Sequence, residues 1–306
     1  MAEPELFLAT RRLDGPLVRC RQCGLYYVIS PATSLNHGQK VAAESVELTT
    51  PNNPTVAATS ESLHAAEEMR RLAARARELE LVEPEVEQGE TYWRGLMAKE
   101  RLTDLRRFIS SGRLLEIGCA NGDLLLAARE SFLATGIEAD AATSSAARSR
   151  GLDCFNGTLF DAEFRDQEFD AAVMYHVIEH LPSPRQTLQE LNRVLRPGGW
   201  IVIETPNIAS QWVRLLGARW RQFIPDHIFF FTPETITRLC RETGFEVREL
   251  RAVGKSMSVR LFLSRLGRYN KPLARVLSRL CAQFHLGERT IRLNPGDVMR
   301  VYAQKL

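Results

Sequence analysis

No stretch of this sequence stays apolar for the roughly 18 residues that a membrane-crossing helix requires. The first residues carry acids and no long apolar core, so a secretory leader is not expected. Cysteine is sparse. The six residues stand at positions 20, 23, 119, 154, 240 and 281, a spacing that suggests no disulfide framework and points to a reducing cytoplasm. Net charge is only +3, too little by itself to indicate a nucleic-acid partner. What remains is a chain of 306 residues, 44% hydrophobic, long enough for one large domain with extensions.

The most informative stretch is LLEIGCANGDLL, Leu114 to Leu125. An apolar run ends in an acid, Glu116, and a turn with Gly118 and Gly122 leads into a helix-forming run from Leu124 to Arg129. That order predicts a strand, a tight loop and a helix start. In such a loop, backbone N–H groups face a ligand and the missing Cβ atoms let it approach closely. Leu133 to Ile137 predicts a second strand, ending at Glu138 in GIEAD. A carboxylate about 20 residues past the loop is placed to accept both hydroxyls of a ribose. The glycine spacing is not G-x-G-x-x-G, and Glu116 would repel a pyrophosphate. A cofactor carrying an ammonium and a sulfonium would suit it.

Two further segments complete the pattern. FDAAVMYHVIEHL, Phe169 to Leu181, begins as a buried strand with Tyr175 and His176 at its end. LQELNRVLRPGGWIVIETPN, Leu188 to Asn207, has helical spacing at Leu188, Leu191, Val194 and Leu195. It then has a Pro197-Gly198-Gly199 stop and a strand from Trp200 to Glu204. The alternation of strand and helix predicts an α/β, doubly wound, mostly parallel sheet with ligands at the C-terminal strand ends.

These four segments, in this order, resemble the class I S-adenosylmethionine-dependent methyltransferases. The likeness is to the small-molecule branch that includes the ubiquinone-pathway O-methyltransferases and methyltransferases of glycan and natural-product clusters, and it runs from about Tyr92 to Leu306. It implies a seven-stranded Rossmann-like sheet and S-adenosylmethionine held by Glu116, Gly118, Cys119, Ala120, Gly122, Glu138, Leu159 and Tyr175. Ala120 occupies the middle position of the more common GxGxG loop, where its methyl group is expected only to tighten packing. Leu159 is expected to reach the adenine through backbone and apolar contact, because the acid nearby, Asp161, lies just beyond. The last two strands, Phe245 to Val253 and Val298 to Lys305, form an antiparallel edge in the resembled fold.

Three zones follow: a partial zinc-ribbon-like segment over 1–30, an irregular loop and helix linker over 31–90, and the methyltransferase domain over 91–306. Cys20 and Cys23 form a C-x-x-C, half of a zinc ribbon, similar to the second knuckle that often precedes relatives of this branch. Either the ribbon has decayed and binds nothing, or a longer start or a partner chain supplies the other ligands; His37 and His64 are poorly spaced for it. Ser60 or Ser62 is a candidate cap for a helix to about Leu81, and Tyr92 to Ser110 reads as an amphipathic helix. Between Ala252 and Gly287 there is no Asp or Glu, while Lys255, Arg260, Arg265, Arg268, Lys271, Arg275 and Arg279 interleave with apolar residues. This helical insertion, 255–287, is either a cap over the pocket or, through 255–280, a basic amphipathic pair lying on the inner face of an anionic membrane.

Methyl transfer from a sulfonium needs alignment and exclusion of water, and a hydroxyl acceptor also needs a base. The candidate bases are His176, after the fourth strand, and His227, in the segment that covers the acceptor pocket in the resembled fold. The alternative roles are a hydrogen-bonded wall residue for His176 and a loop anchor for His227. No metal is expected; Glu179 and His180 are expected to tie a helix start to neighbouring loops. Trp212, Trp220, Phe223, Phe229, Phe230 and Phe231 either line a ring-bearing acceptor or pack a lid on its own domain. The chain lacks an Asn-Pro-Pro-aromatic amine motif, and no nucleic-acid partner is expected. The expected activity is O-methylation of a small molecule or of a saccharide or lipid-linked acceptor. The alternative is a catalytically silent scaffold with the same fold.

Overall fold

The computed structural model describes residues 5–8, 13, 16–29, 84–267, 270–284, 286–287 and 289–306. The expected helix ending near Leu81, together with His37 and His64, lies outside the described residues.

The parallel strands form where apolar runs leave no polar face. Phe169–Tyr175 (β7) is buried at every position but Asp170, and Gly112–Ile117 (β4) is buried from Leu114 onward. With Phe132–Glu138 (β5), Asp153–Asn156 (β6), Leu195–Pro206 (β8), Phe245–Ala252 (β10) and Val298–Lys305 (β13), they form a seven-stranded sheet. Its order is β10-β13-β8-β7-β4-β5-β6. Only β13 runs antiparallel, between β10 and β8. The C-terminal ends of β4, β5, β7 and β8 therefore share one edge, where Glu116, Glu138, Tyr175 and Glu204 gather.

Helices cover both faces. Pro84–Leu105 (α1) begins earlier than the Tyr92 expected and stops short of Ser110; it packs Ala98, Leu102 and Leu105 on one face of the sheet. Asp123–Ala128 (α2) and Ala141–Ser149 (α3) follow the first two strands. Pro184–Val194 (α4) starts at Ser183, whose side chain accepts from Gln186 N, with Pro184 in the first turn. Leu188, Leu191 and Val194 are fully buried, each contributing roughly 1.5–3 kcal/mol. Leu195 belongs to β8 rather than to the helix, and the Pro197-Gly198-Gly199 stop forms a register shift against β7. After the short helix Gln211–Leu216 (α5), Pro233–Glu242 (α6) is capped by Thr232, closed into a capping box with Thr235.

The N-terminal residues join the domain instead of standing apart. Glu5–Leu8 (β1), Leu17–Arg19 (β2) and Tyr26–Val28 (β3) form an antiparallel ribbon that continues through Phe229–Phe230 (β9). The insertion is closed by a two-stranded ladder, Lys255–Ser258 (β11) with Thr290–Leu293 (β12), around two helices, Val259–Leu266 (α7) and Lys271–Gln283 (α8). It is thus a strand-clamped helix pair, not helix alone. No described helix is long and apolar enough to cross a membrane.

Candidate active site

The loop after β4 is wound tightly by left-handed residues: Gly118 at φ 69°, Ala120 at φ 47° and Gly122 at φ 77°. A Cβ on Gly122 would lie 2.3 Å from Leu152 Cδ1, so only glycine fits there. Ala120 differs from the expectation of slightly tighter packing. Its methyl group sits on a left-handed residue, a conformation that costs a non-glycine residue roughly 1–2 kcal/mol. The strain is countered by Ala120 N, which donates to Glu138 Oε2 at 3.0 Å. Asp140 N donates to Glu138 Oε1 at 2.9 Å. Two backbone donors thus fix the carboxylate at the tip of β5. Burial pushes the Glu138 carboxyl upward, and the Asp140 and Ala120 N–H groups pull against it.

Glu116 is buried below the loop, and its Oε2 has no partner. Burial pushes its carboxyl up to about 8; Arg101 opposes the shift, while Asp123 and Glu138 add to it. A nearby cation would favour the ionised form of such a buried carboxyl. Cys119 turns its thiol away, 3.3 Å from Cys154 Sγ, so only its backbone faces the loop. Leu159 is buried after β6. The Asp161 carboxylate beside it accepts from Thr158 N and Thr158 Oγ1, so it serves the turn.

At the end of β7 the chain makes a second left-handed turn at His176, φ 59°. Its backbone N–H donates to Glu204 O at 2.8 Å. Its ring stands between two carboxylates, Nδ1 at 3.2 Å from Glu179 and Nε2 at 3.2 Å from Glu204. Glu204 is the hub of a buried charge cluster. Arg101 reaches it at 2.6 Å, Arg300 at 2.5 Å, and Arg300 also pairs with Asp104. Burial favours protonation of Glu204, but Arg101, His176 and Arg300 outweigh it and hold the carboxyl well below its ordinary value. The Tyr175 ring lies under the Arg101 guanidinium at 4.1 Å, with Arg300 at 5.5 Å. Both guanidiniums thus lie within cation–π distance of the ring.

His227 is almost wholly buried, and burial, reinforced by His180, pushes it down to about 3. At neutral pH its ring is uncharged and only weakly basic. The aromatic segment around it packs inward: Trp220, Phe223, Phe230 and Phe231 are fully buried, and Trp212 is exposed.

Sequence reasoning singled out the two carboxylates at the strand ends and both histidines, and the structure places them along the same sheet edge or the segment beside it. It missed Arg101, Glu204 and Arg300. The available signal was a charged residue inside an apolar strand run, VMRVY for Arg300 and VIET for Glu204, since such charges are seldom buried without a partner.

Parallel strands topped by a glycine turn and two acids, with one antiparallel strand inserted at the edge, define a methyltransferase fold. Comparison with known proteins agrees. A family described as a methyltransferase domain matches residues 88–250, just over half of the chain, and the chain belongs to that family. A ubiquinone biosynthesis O-methyltransferase from Thiobacillus denitrificans is 26% identical over 165 residues, covering 49% of this chain and 71% of that protein. A protein of Mycolicibacterium smegmatis named probable S-adenosylmethionine-dependent methyltransferase is 32% identical over 141 residues, covering 44% of this chain and 52% of its own length. The crystal structure of a SAM-dependent methyltransferase from Thermotoga maritima shares the fold at a TM-score of 0.50 and 20% identity, covering 79% of this chain and 100% of that one. This chain is a class I S-adenosylmethionine-dependent methyltransferase. The residues fit that cofactor: Glu116 offers an unmatched buried oxygen for an ammonium, and Glu138 a fixed carboxylate for the ribose.

Proposed function

We propose that the chain transfers the methyl group of S-adenosylmethionine to a hydroxyl of a small acceptor, either a free phenol or a saccharide or lipid-linked molecule. The observation that carries the cofactor half of this reading is the pairing of Glu116 and Glu138 at the crest of β4 and β5. Cys119 and Ala120 add backbone contacts in the loop, Gly118 and Gly122 its turn, and Leu159 and Tyr175 the walls. The likeness to ubiquinone-pathway O-methyltransferases supports oxygen as the acceptor atom.

Of the two histidines, the base role goes to His176. It stands at the end of β7 and keeps part of its ring exposed. Glu179 and Glu204 orient it, much as a carboxylate orients the imidazole of a catalytic triad. Proton acceptance requires the ring to turn away from one of the two carboxylates. His227, uncharged and sealed in, belongs to the wall of the acceptor side. Because the methyl donor is already activated, these residues mainly align the acceptor and exclude water.

The test is transfer of labelled methyl from S-adenosylmethionine to a panel of phenols, catechols and saccharides, with amines as controls. Methylation of a hydroxyl, abolished in His176→Ala but with cofactor binding kept, supports the reading. Transfer to amines alone overturns it. The insertion adds a second element. Leu273, Val276 and Leu280 of α8, with Phe284 at its C-terminal cap, form an exposed stripe, and the helix carries no acid. That surface suits the headgroup region of an anionic bilayer, where a lipid-linked acceptor would be presented.

A further inference from the structure

We propose that Glu179, His180 and His227 form a binding site for a divalent transition-metal ion, Zn2+ in the first instance. One ligand atom from each lies within 4.8 Å of the other two. Ligands about 2.0–2.1 Å from a tetrahedral zinc stand roughly 3.3 Å apart, so small side-chain rotations close the set around an ion. The donors, two imidazoles and one carboxylate, suit zinc or its neighbours. Magnesium, which demands near-octahedral oxygen coordination, would find one carboxylate here.

Three independent features select these atoms. His227 Nδ1 is buried with no hydrogen-bond partner of good geometry, although the Gln222 backbone approaches the ring, and a buried ring nitrogen left unmatched is costly. His180 Nδ1 is occupied by the Asp226 carbonyl at 2.8 Å, which leaves Nε2 as the ligating atom. Glu179, fully buried, is braced on one oxygen by His176 and on the other by Thr205 Oγ1 at 3.0 Å. A carbonyl on the far side of a ligating imidazole, and hydrogen bonds behind a ligating carboxylate, are the outer-shell pattern of metal sites. The His180 and His227 rings meet edge to face, centroids 4.7 Å apart, as two imidazoles converging on one point would.

The backbone brings the ligands together from distant parts of the chain. Glu179 and His180 lie in the one-turn 3-10 helix Ile178–His180 after β7, and His227 lies in the aromatic segment before β9. Ile228 N donates to Glu179 O at 2.9 Å, which holds the two segments in register. An ion here would clamp the turn carrying His176 to the segment that covers the acceptor side. Its three protein ligands would leave one tetrahedral position for water or an acceptor oxygen. His227 would then serve as a ligand and take no proton.

The test uses the full chain in a Cys20→Ser/Cys23→Ser background, so that the N-terminal thiols cannot supply the metal signal. After chelator treatment the protein is titrated with Co2+ and with Zn2+, and bound metal is counted by mass spectrometry. One equivalent of zinc per chain, and visible Co2+ absorption without thiolate charge-transfer bands, are expected. His227→Gln and His180→Gln should each weaken Co2+ binding at least about a hundredfold while binding of S-adenosylhomocysteine shows the fold intact. No metal retained by the background protein, or equal metal in the background and both variants, overturns the assignment. If a variant fails to fold, the cobalt spectrum of the background protein decides alone.

Discussion

Replacing Glu138 with alanine removes the carboxylate that ties Ala120 and Asp140 together and to which we assign the ribose hydroxyls. In the protein, Oε2 accepts from Ala120 N at 3.0 Å and Oε1 from Asp140 N at 2.9 Å. Each oxygen keeps lone pairs for a ribose hydroxyl. A hydrogen bond to a charged group is worth about 1.5–3 kcal/mol net. Both hydroxyls would be lost, but the alanine cavity admits water that recovers part of the loss, so one such increment is the expected total. That predicts a roughly ten- to hundredfold weaker affinity for S-adenosylhomocysteine, using about 1.4 kcal/mol per decade. Glu138→Gln should fall between, since one of its positions becomes a donor facing either Ala120 N or Asp140 N. Isothermal titration calorimetry reads the affinity, and thermal unfolding checks that the loop has not collapsed. A folded Glu138→Ala protein that binds within twofold of the parent would refute the ribose assignment.

Glu116 should couple cofactor binding to protons. Its carboxyl, raised to about 8, is protonated at pH 7, and pairing with an ammonium would ionise it, so binding should release a proton. Calorimetry in buffers of different ionisation enthalpy would detect that proton, and Glu116→Gln should abolish it; buffer-independent heats in the parent would contradict the idea. The same shift makes the folded chain hold one more proton than the unfolded chain between the ordinary carboxyl value and about pH 8. Stability therefore falls as pH rises through that window, and Glu116→Gln should flatten the fall in urea melts. Arg300→Met leaves Glu204 short of one of its two guanidinium partners and should cost about 3 kcal/mol or more by urea unfolding. A loss below about 1 kcal/mol would show that Arg101 alone suffices. Because Glu204 is held below its ordinary value, its contribution is present above that value and disappears on acidification through the lowered one. Finally, the chain should float with vesicles of anionic lipid at low salt and stay behind with neutral ones, and Leu280→Glu should prevent flotation. Binding that ignores both lipid charge and salt would exclude the surface reading.

Much of the frame was legible because the sheet imposes simple rules. Strands buried on both faces must be apolar throughout, as in Phe169–Tyr175, and an acid that ends such a run, as Glu116 and Glu138 do, falls at the ligand edge. The charge cluster was not legible because its members come from three distant elements. Arg101 belongs to α1, Glu204 to β8 and Arg300 to β13, and only the insertion of the last strand between β8 and β10 brings them into contact. His227 illustrates a different limit. Its residue type suggests a base, yet basicity is set by burial, and burial follows from packing that one local segment does not reveal.

The three consecutive phenylalanines show how the aromatic segment is held between two parts of the molecule. In extended chain, successive side chains point to opposite faces. Phe230 belongs to the cluster of Leu17, Trp220 and Phe223, while Phe231 belongs to the main core and Phe229 packs against it. One short strand is thus shared between two cores, and its backbone pairs with Tyr26 and Tyr27 of the ribbon. The N-terminal residues, which as sequence look like a detachable knuckle, complete the sheet that holds this segment down. Because Ile228, the next residue toward the N-terminus from β9, donates to Glu179 O, a shift of the ribbon would be felt at the turn carrying His176, Glu179 and His180. The ribbon is thus joined to that turn by consecutive backbone hydrogen bonds, Val28 N to Ile228 O and Ile228 N to Glu179 O.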